Sequence, residues 1–222
     1  MKPPFSSVRL SQALLLIIII LAIISIILRF FSSSVPADTG SAVVMILDEQ
    51  GIIGTGSLID PQTILTSKHF LEQGDRYGIR FSDGTLEWAV PSSIHPTLDL
   101  ALLSLDSAKK RHYLWLASRW WDIGMSVIAF GALTESRIIS QDRWTILSAQ
   151  ENFQIGDEAF DNLLLSDIAF QPGYSGGPLL NVNWEIIAVH TAYEVSGKTG
   201  WSTPVTREIL EVLKNLSHGS KK

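Results

Sequence analysis

Gly173-Tyr174-Ser175-Gly176-Gly177-Pro178 is the stretch from which the rest of this chain can be read. A serine hydroxyl is a weak nucleophile unless an adjacent base takes its proton. It also needs backbone N–H groups aimed at the oxyanion that forms when it attacks a carbonyl. Glycines on either side permit the backbone conformations such a turn requires and leave room for a substrate. Standing alone the run would be only a turn. Upstream, however, Ile64-Leu65-Thr66-Ser67-Lys68-His69-Phe70 places a histidine just after an apolar strand, and Thr97-Leu98-Asp99-Leu100-Ala101-Leu102-Leu103 places an aspartate inside another. A carboxylate buried in an apolar strand is costly without a partner, and a histidine to orient would be one.

Between these motifs the chain reads as many short strands separated by turn signals, the pattern of an all-β sandwich or barrel. The expected strands are 41–47, 52–59, 63–66, 78–81, 85–90, 98–105, 126–130, 138–147, 162–165, 177–180, 185–191 and 200–202. The stretch from Lys109 to Asp122 joins two halves, and its Trp115, Trp120 and Trp121 are expected in the core. One helix is expected near the end, where Val205, Ile209, Leu210, Leu213 and Leu216 recur at helical spacing behind Thr203-Pro204 as cap and first-turn proline.

The N-terminus has a different composition. Leu10 to Leu28 carries no charge, is dominated by Leu and Ile, and is bounded by Arg9 and Arg29. As a helix it would be about 28 Å long, close to the roughly 30 Å of a hydrocarbon core. A retained signal anchor over 10–31 is favoured over a cleaved signal peptide ending at Val35-Pro36-Ala37, because the apolar core is long and Ala37 lies well beyond it. The positive charges at the amino terminus, Lys2 and Arg9 put residues 1–9 in the cytoplasm and the chain beyond the apolar run outside. Residues 32–40 read as a linker, 41–216 as the folded domain and 217–222 as a polar tail. The 222 residues include no cysteine, which rules out disulfides and thiolate metal sites, and the net charge of −5 with scattered Lys and Arg argues against a nucleic-acid surface. The histidines lack metal-ligand spacing, so neither metal nor cofactor is expected.

The chain order His69, Asp99, Ser175 matches the chymotrypsin-like order of triad residues rather than the subtilisin or α/β-hydrolase orders. With Gly54-Thr55-Gly56-Ser57-Leu58-Ile59-Asp60 before the histidine strand, Ser166–Leu180 around the serine and Glu185–Ala192 after it, the chain resembles a trypsin-like serine protease of the HtrA/Deg branch over roughly 41–216. The resemblance implies two six-stranded antiparallel β-barrels with the active site between them. It also implies peptide-bond hydrolysis through an acyl-enzyme, with Ser175 as nucleophile, His69 as base and acid, Asp99 orienting His69, and the Gly173 and Ser175 N–H groups holding the oxyanion. The substrates would be proteins or peptides, cleaved by a membrane-anchored, extracytoplasmic enzyme. No PDZ domain is expected in the stretch after Ser175.

The sequence departs from the family at Tyr174, where HtrA members carry asparagine, and at Lys68, where they prefer a small or amide residue. These keep open a catalytically weak, protease-fold scaffold. By the resemblance, Ile168, Ala169 and Phe170 form one wall of the primary pocket and His190, Thr191 and Ala192 another. No acidic residue stands there to select Lys or Arg, so small or medium apolar side chains are expected. Glutamate specificity is the rival, motivated by His190, which otherwise reads as a satisfied histidine at the barrel seam.

Overall fold

The computed structural model describes residues 15, 17–21, 36–71, 74–118, 121–133, 139–150, 153–155, 158–160, 162–168, 171–193 and 199–219. Residues 17–21 are helical, and no helix among the described residues is long and apolar enough to cross a membrane. Most of the expected anchor, 10–31, lies outside them. The remainder, from Ala37 on, is a compact unit of its own.

It contains two closed antiparallel barrels of six strands each. The first comprises β1 (Val43–Leu47), β2 (Ile52–Leu58), β3 (Thr63–Thr66), β4 (Tyr77–Arg80), β5 (Leu86–Ile94) and β6 (Ala101–Leu105), in the spatial order β1-β2-β3-β6-β5-β4. Ile46, Leu58, Ile64, Leu65, Ile79 and Leu102 fill it, each at most 1% exposed. The second is built from β7 (Ser126–Ala132), β8 (Ile139–Gln150), β11 (Leu163–Ser166), β12 (Pro178–Leu180), β13 (Ile186–Tyr193) and β14 (Gly200–Pro204), ordered β11-β14-β13-β12-β7-β8. Its centre is Val127, Ile146, Leu164, Tyr174, Leu179 and Ile187. Closure removes the unpaired edges that an open sheet of this length would expose.

The expected strands are all present, with shifted ends. β5 runs past Val90 to Ile94 because a bulge between Pro91 and Ser93 absorbs the proline, which cannot donate to a ladder. Asp99 does not lie inside a strand: β6 begins at Ala101, and the aspartate sits in the preceding bend. A small hairpin of β9 (Phe153–Ile155) and β10 (Glu158–Phe160) adds a separate two-stranded sheet that the apolar pattern does not announce. Residues 37–41, partly read as linker, form a one-turn helix, α1 (Ala37–Ser41), beside β1. The joining segment is strapped to both barrels, the Leu114 N–H donating to Leu58 and the Ala117 N–H to Ile186. This leaves Trp115 65% exposed rather than in the core, while Trp121 packs against the second barrel; Trp120 lies outside the described residues.

The terminal helix, α2 (Arg207–Gly219), starts later than expected. Pro204 closes β14 opposite Ala188, and Thr206 is the cap, its Oγ1 accepting the Ile209 N–H at 3.3 Å. Of the apolar face, Val205 and Leu213 are buried and Leu216 is exposed.

Candidate active site

β3 delivers Ser67, Lys68 and His69 to the seam between the barrels. The bend before β6 brings Asp99 up beneath them. That bend is shaped by His95, whose Nδ1 accepts the N–H groups of Thr97 (3.3 Å) and Leu98 (3.0 Å) while its own N–H donates to Leu100. Asp99 is 2% exposed and fully engaged. Its Oδ1 accepts the backbone N–H groups of Lys68 and His69, both at 2.9 Å, and its Oδ2 lies 2.9 Å from His69 Nδ1. Burial alone would raise the Asp99 carboxyl; the bond and charge of His69, with its backbone N–H, bring it below its ordinary value. With Nδ1 committed to Asp99, the other nitrogen of His69 is the one left for proton transfer. Phe70 sets its ring edge-on to the imidazole at 5.2 Å.

The Ser175 turn is built by the second barrel and finished by the first. Within the turn, the Tyr174 N–H donates to Gln171 and the Gly177 N–H to Tyr174. Gly173 and Gly176 take φ of 97° and 82°, a region that disfavours residues with a Cβ. A Cβ on Gly176 would also lie 2.2 Å from both the Thr55 carbonyl oxygen and Thr66 Oγ1. From β2, the Thr55 N–H donates to the Ser175 carbonyl (2.8 Å) and Thr55 Oγ1 to the Gly173 carbonyl (2.6 Å), while the same Oγ1 accepts the Ala132 N–H. Gly54 lies so close that a Cβ there would meet the Phe70 ring at 2.7 Å and the Ser175 carbonyl oxygen at 2.9 Å. Among the described residues, the N–H groups of Gly173 and Ser175 donate to no protein acceptor. The turn is rooted by Tyr174, 2% exposed, whose ring lies against Gly131.

The residues taken for the primary pocket are placed differently from one another. Ile168 is fully buried in the second-barrel core, so it backs a wall rather than forming one. His190 is 1% exposed with Nδ1 3.1 Å from Ser202 Oγ, and burial pushes its imidazole down to about 3, so it stands as a neutral interior group. Its carbonyl accepts from Ser67 Oγ and from the Gly176 N–H, which ties both strand ends of the site to β13. Thr191 is buried against Thr203, and Ala192 is half-buried at a bulge in β13. Ala169 and Phe170 lie outside the described residues. Two contributors carry no motif of their own, His95 and Gly131. The G-T-G of Gly54-Thr55-Gly56 was the available signal for Thr55.

Residues 54–189 match a trypsin-like peptidase domain. The chain belongs to the trypsin-like peptidase family. Among curated relatives it is 29% identical over 157 residues to a probable periplasmic serine endoprotease, DegP-like, of Chlamydia pneumoniae, covering 69% of this chain and 31% of that protein. The counterpart in Chlamydia trachomatis is 30% identical over 152 residues, covering 67% and 29%. The chain thus spans about a third of the length of these relatives. Among solved structures, the HtrA-type protease AlgW with a tripeptide superposes with a TM-score of 0.71 at 24% identity, over 82% of this chain and 62% of that one. The MamO protease domain of Magnetospirillum magneticum gives 0.70 at 22%, over 80% and 98%. These two share the fold.

Proposed function

We propose that the chain is a serine endopeptidase acting through His69, Asp99 and Ser175. The observation that carries this is the clamp on His69: one buried carboxylate accepts the Lys68 and His69 N–H groups through Oδ1 and holds the imidazole through Oδ2. A histidine fixed by a carboxylate in this way takes a proton without turning and keeps the resulting charge compensated. Ser175 Oγ attacks the scissile carbonyl as His69 removes its proton. The oxyanion settles on the Gly173 and Ser175 N–H groups. His69 then protonates the leaving amine, and water releases the acyl group by the same steps reversed. The neutral, interior His190 favours an apolar primary pocket over selection of glutamate.

The test is covalent labelling by a fluorophosphonate. Wild-type chain should label, while Ser175→Ala and His69→Ala should not. Since triad members act as a unit, the double variant should lose little more than either single one. Labelling that persists in Ser175→Ala refutes the reading. Absence of labelling in a folded wild-type chain would instead favour a protease-fold scaffold.

Residues 10–31 act as the membrane anchor in this reading, with the peptidase domain on the extracytoplasmic side. The uncharged apolar run and the charge bias before it support this, and the DegP-like relatives are named periplasmic. Protease added outside spheroplasts should reach the domain. Protection until lysis would reverse the orientation, and a mature N-terminus at Asp38 would show a cleaved signal.

A further inference from the structure

The cleft that continues from His69 along the first barrel has a composition the chemistry above does not use. It encloses about 650 Å³ and is bordered by His69, by Asp48 and Glu49 of the β1–β2 turn, and by Asp75, Arg76 and Tyr77 at the start of β4. Among the described residues three carboxylates therefore meet one guanidinium, and that guanidinium is committed elsewhere: Arg76 pairs with Asp106 and lies 5.1 Å over the Trp88 ring. Asp48 is fixed in place, its Oδ1 accepting the Gln50 and Gly51 N–H groups at 2.7 and 3.0 Å. Glu49 and Asp75 are exposed and enter no ion pair among the described residues.

A second observation is independent of the acidic side chains. Tyr77, 2% exposed, borders the same cleft. Its hydroxyl lies against the Gly74 backbone without closing a hydrogen bond of standard geometry. A buried polar atom left in that condition is destabilising until something completes it. Burial, with Asp48 and Asp75 adding and the Gly74 backbone opposing, holds the phenol above its ordinary pKa, so at neutral pH it is a neutral hydroxyl able to accept an N–H.

The side of the substrate that reaches this cleft is set by the chemistry. The Ser175 turn and the stretch 190–192 belong to the second barrel, so the acyl part of a substrate lies there. His69 hands its proton to the leaving amine. The residues after the cleaved bond then run past His69 onto the first barrel, where this cleft opens. We propose that Asp48, Glu49, Asp75 and the Tyr77 hydroxyl form a subsite for a lysine or arginine side chain just after the cleaved bond. The proposal rests on the serine-peptidase reading for its direction along the substrate.

The carboxylates are exposed, so each contributes modestly and salt screens them. Three together give a preference of about tenfold for Lys over Glu at low salt. The test uses the full-length Ser175→Ala protein and fluorescent peptides identical except for Lys, Ala or Glu in the two positions after the cleavable bond. Affinity should fall in the order Lys, Ala, Glu, with the gap shrinking at high salt. The triple variant Asp48→Asn, Glu49→Gln, Asp75→Asn should abolish the gap. Glu49→Gln and Asp75→Asn, at exposed positions, should each narrow it without endangering the fold, and Tyr77→Phe should weaken the Lys peptide selectively. Equal affinities for the three peptides, or a gap that survives neutralisation, overturns the subsite. Fluorophosphonate labelling of the wild-type chain reports separately on the peptidase reading: failure to label with the affinity order intact would sink that reading and leave the basic subsite standing.

Discussion

Gly131→Ala tests how the Ser175 turn is rooted. A Cβ at position 131 would lie 2.3 Å from Tyr174 Cγ and 2.5 and 2.6 Å from the two Cδ atoms. The methyl would overlap the flat of the ring by about 1 Å, and the ring is packed among Val127, Leu179 and Ile187 with nowhere to withdraw. Overpacking of this kind costs about 1–3 kcal/mol, and the obstacle here is a ring rather than the end of a flexible chain, so we expect about 3 kcal/mol in urea unfolding with the m value unchanged. Tyr174→Ala alone should cost about 3–5 kcal/mol by leaving a cavity. In the double variant the new methyl enters the space the ring vacated, so the combined loss should fall short of the sum by about 2 kcal/mol. Because Tyr174 joins Gly173 to Ser175, Gly131→Ala should also slow fluorophosphonate labelling by about tenfold, short of the roughly 10²–10³ that outright loss of an oxyanion donor costs. Additive losses, or a Gly131→Ala protein as stable and as reactive as wild type, would refute this account of the turn.

Other consequences can be checked more briefly. Asp99→Asn keeps an acceptor for the two backbone N–H groups but offers His69 Nδ1 the wrong partner, so turnover should fall by about 10⁴-fold with little change in circular dichroism. His190 is held down to about 3 in the fold against an ordinary value of 6.5. The unfolded chain therefore takes up a proton that the folded one refuses, and stability should decline as pH falls from about 6.5 towards 3, by at most about 1.4 kcal/mol per unit. Urea midpoints at pH 7, 6 and 5 should show this slope, and His190→Asn should flatten it. The lowered Asp99 carboxyl acts in a separate window: its contribution is complete above about pH 4 and is lost below, as the pH falls through its depressed value. His95→Leu removes the acceptor that bends 97–99, so it should reduce labelling several-fold, and His95→Asn should recover most of it; equal rates in all three proteins would show that the bend holds itself.

The barrels were legible because closed antiparallel sheets leave short apolar runs between turn residues, and nearly every such run became a strand. His69, Asp99 and Ser175 stand out as candidates because each sits in a motif whose residue types answer to one chemistry, and the fold brings His69 and Asp99 within 2.9 Å. What stayed hidden depended on partners distant in sequence. Nothing around Trp115 says that its backbone, rather than its ring, does the bridging. Thr203-Pro204 has the local look of a helix start, yet pairing with β13 takes Pro204 into a strand and passes the cap to Thr206. His190 resembles a specificity residue in one dimension and is an interior group in three. The acidic cleft gathers from two turns, and neither is acidic enough alone to attract notice.

Thr55 sits on β2 of the first barrel, yet it holds the Gly173 and Ser175 carbonyls and the Ala132 N–H of the second. Neither half of the protein can therefore shape the Ser175 turn unaided. A nascent chain whose second half is still unmade has the histidine and aspartate but nothing for them to activate. A chain whose halves have separated loses the turn along with the seam. Assembly of the Ser175 turn is thus tied to completion of the whole domain, because its carbonyls and the Ala132 N–H are held by a residue of the other barrel.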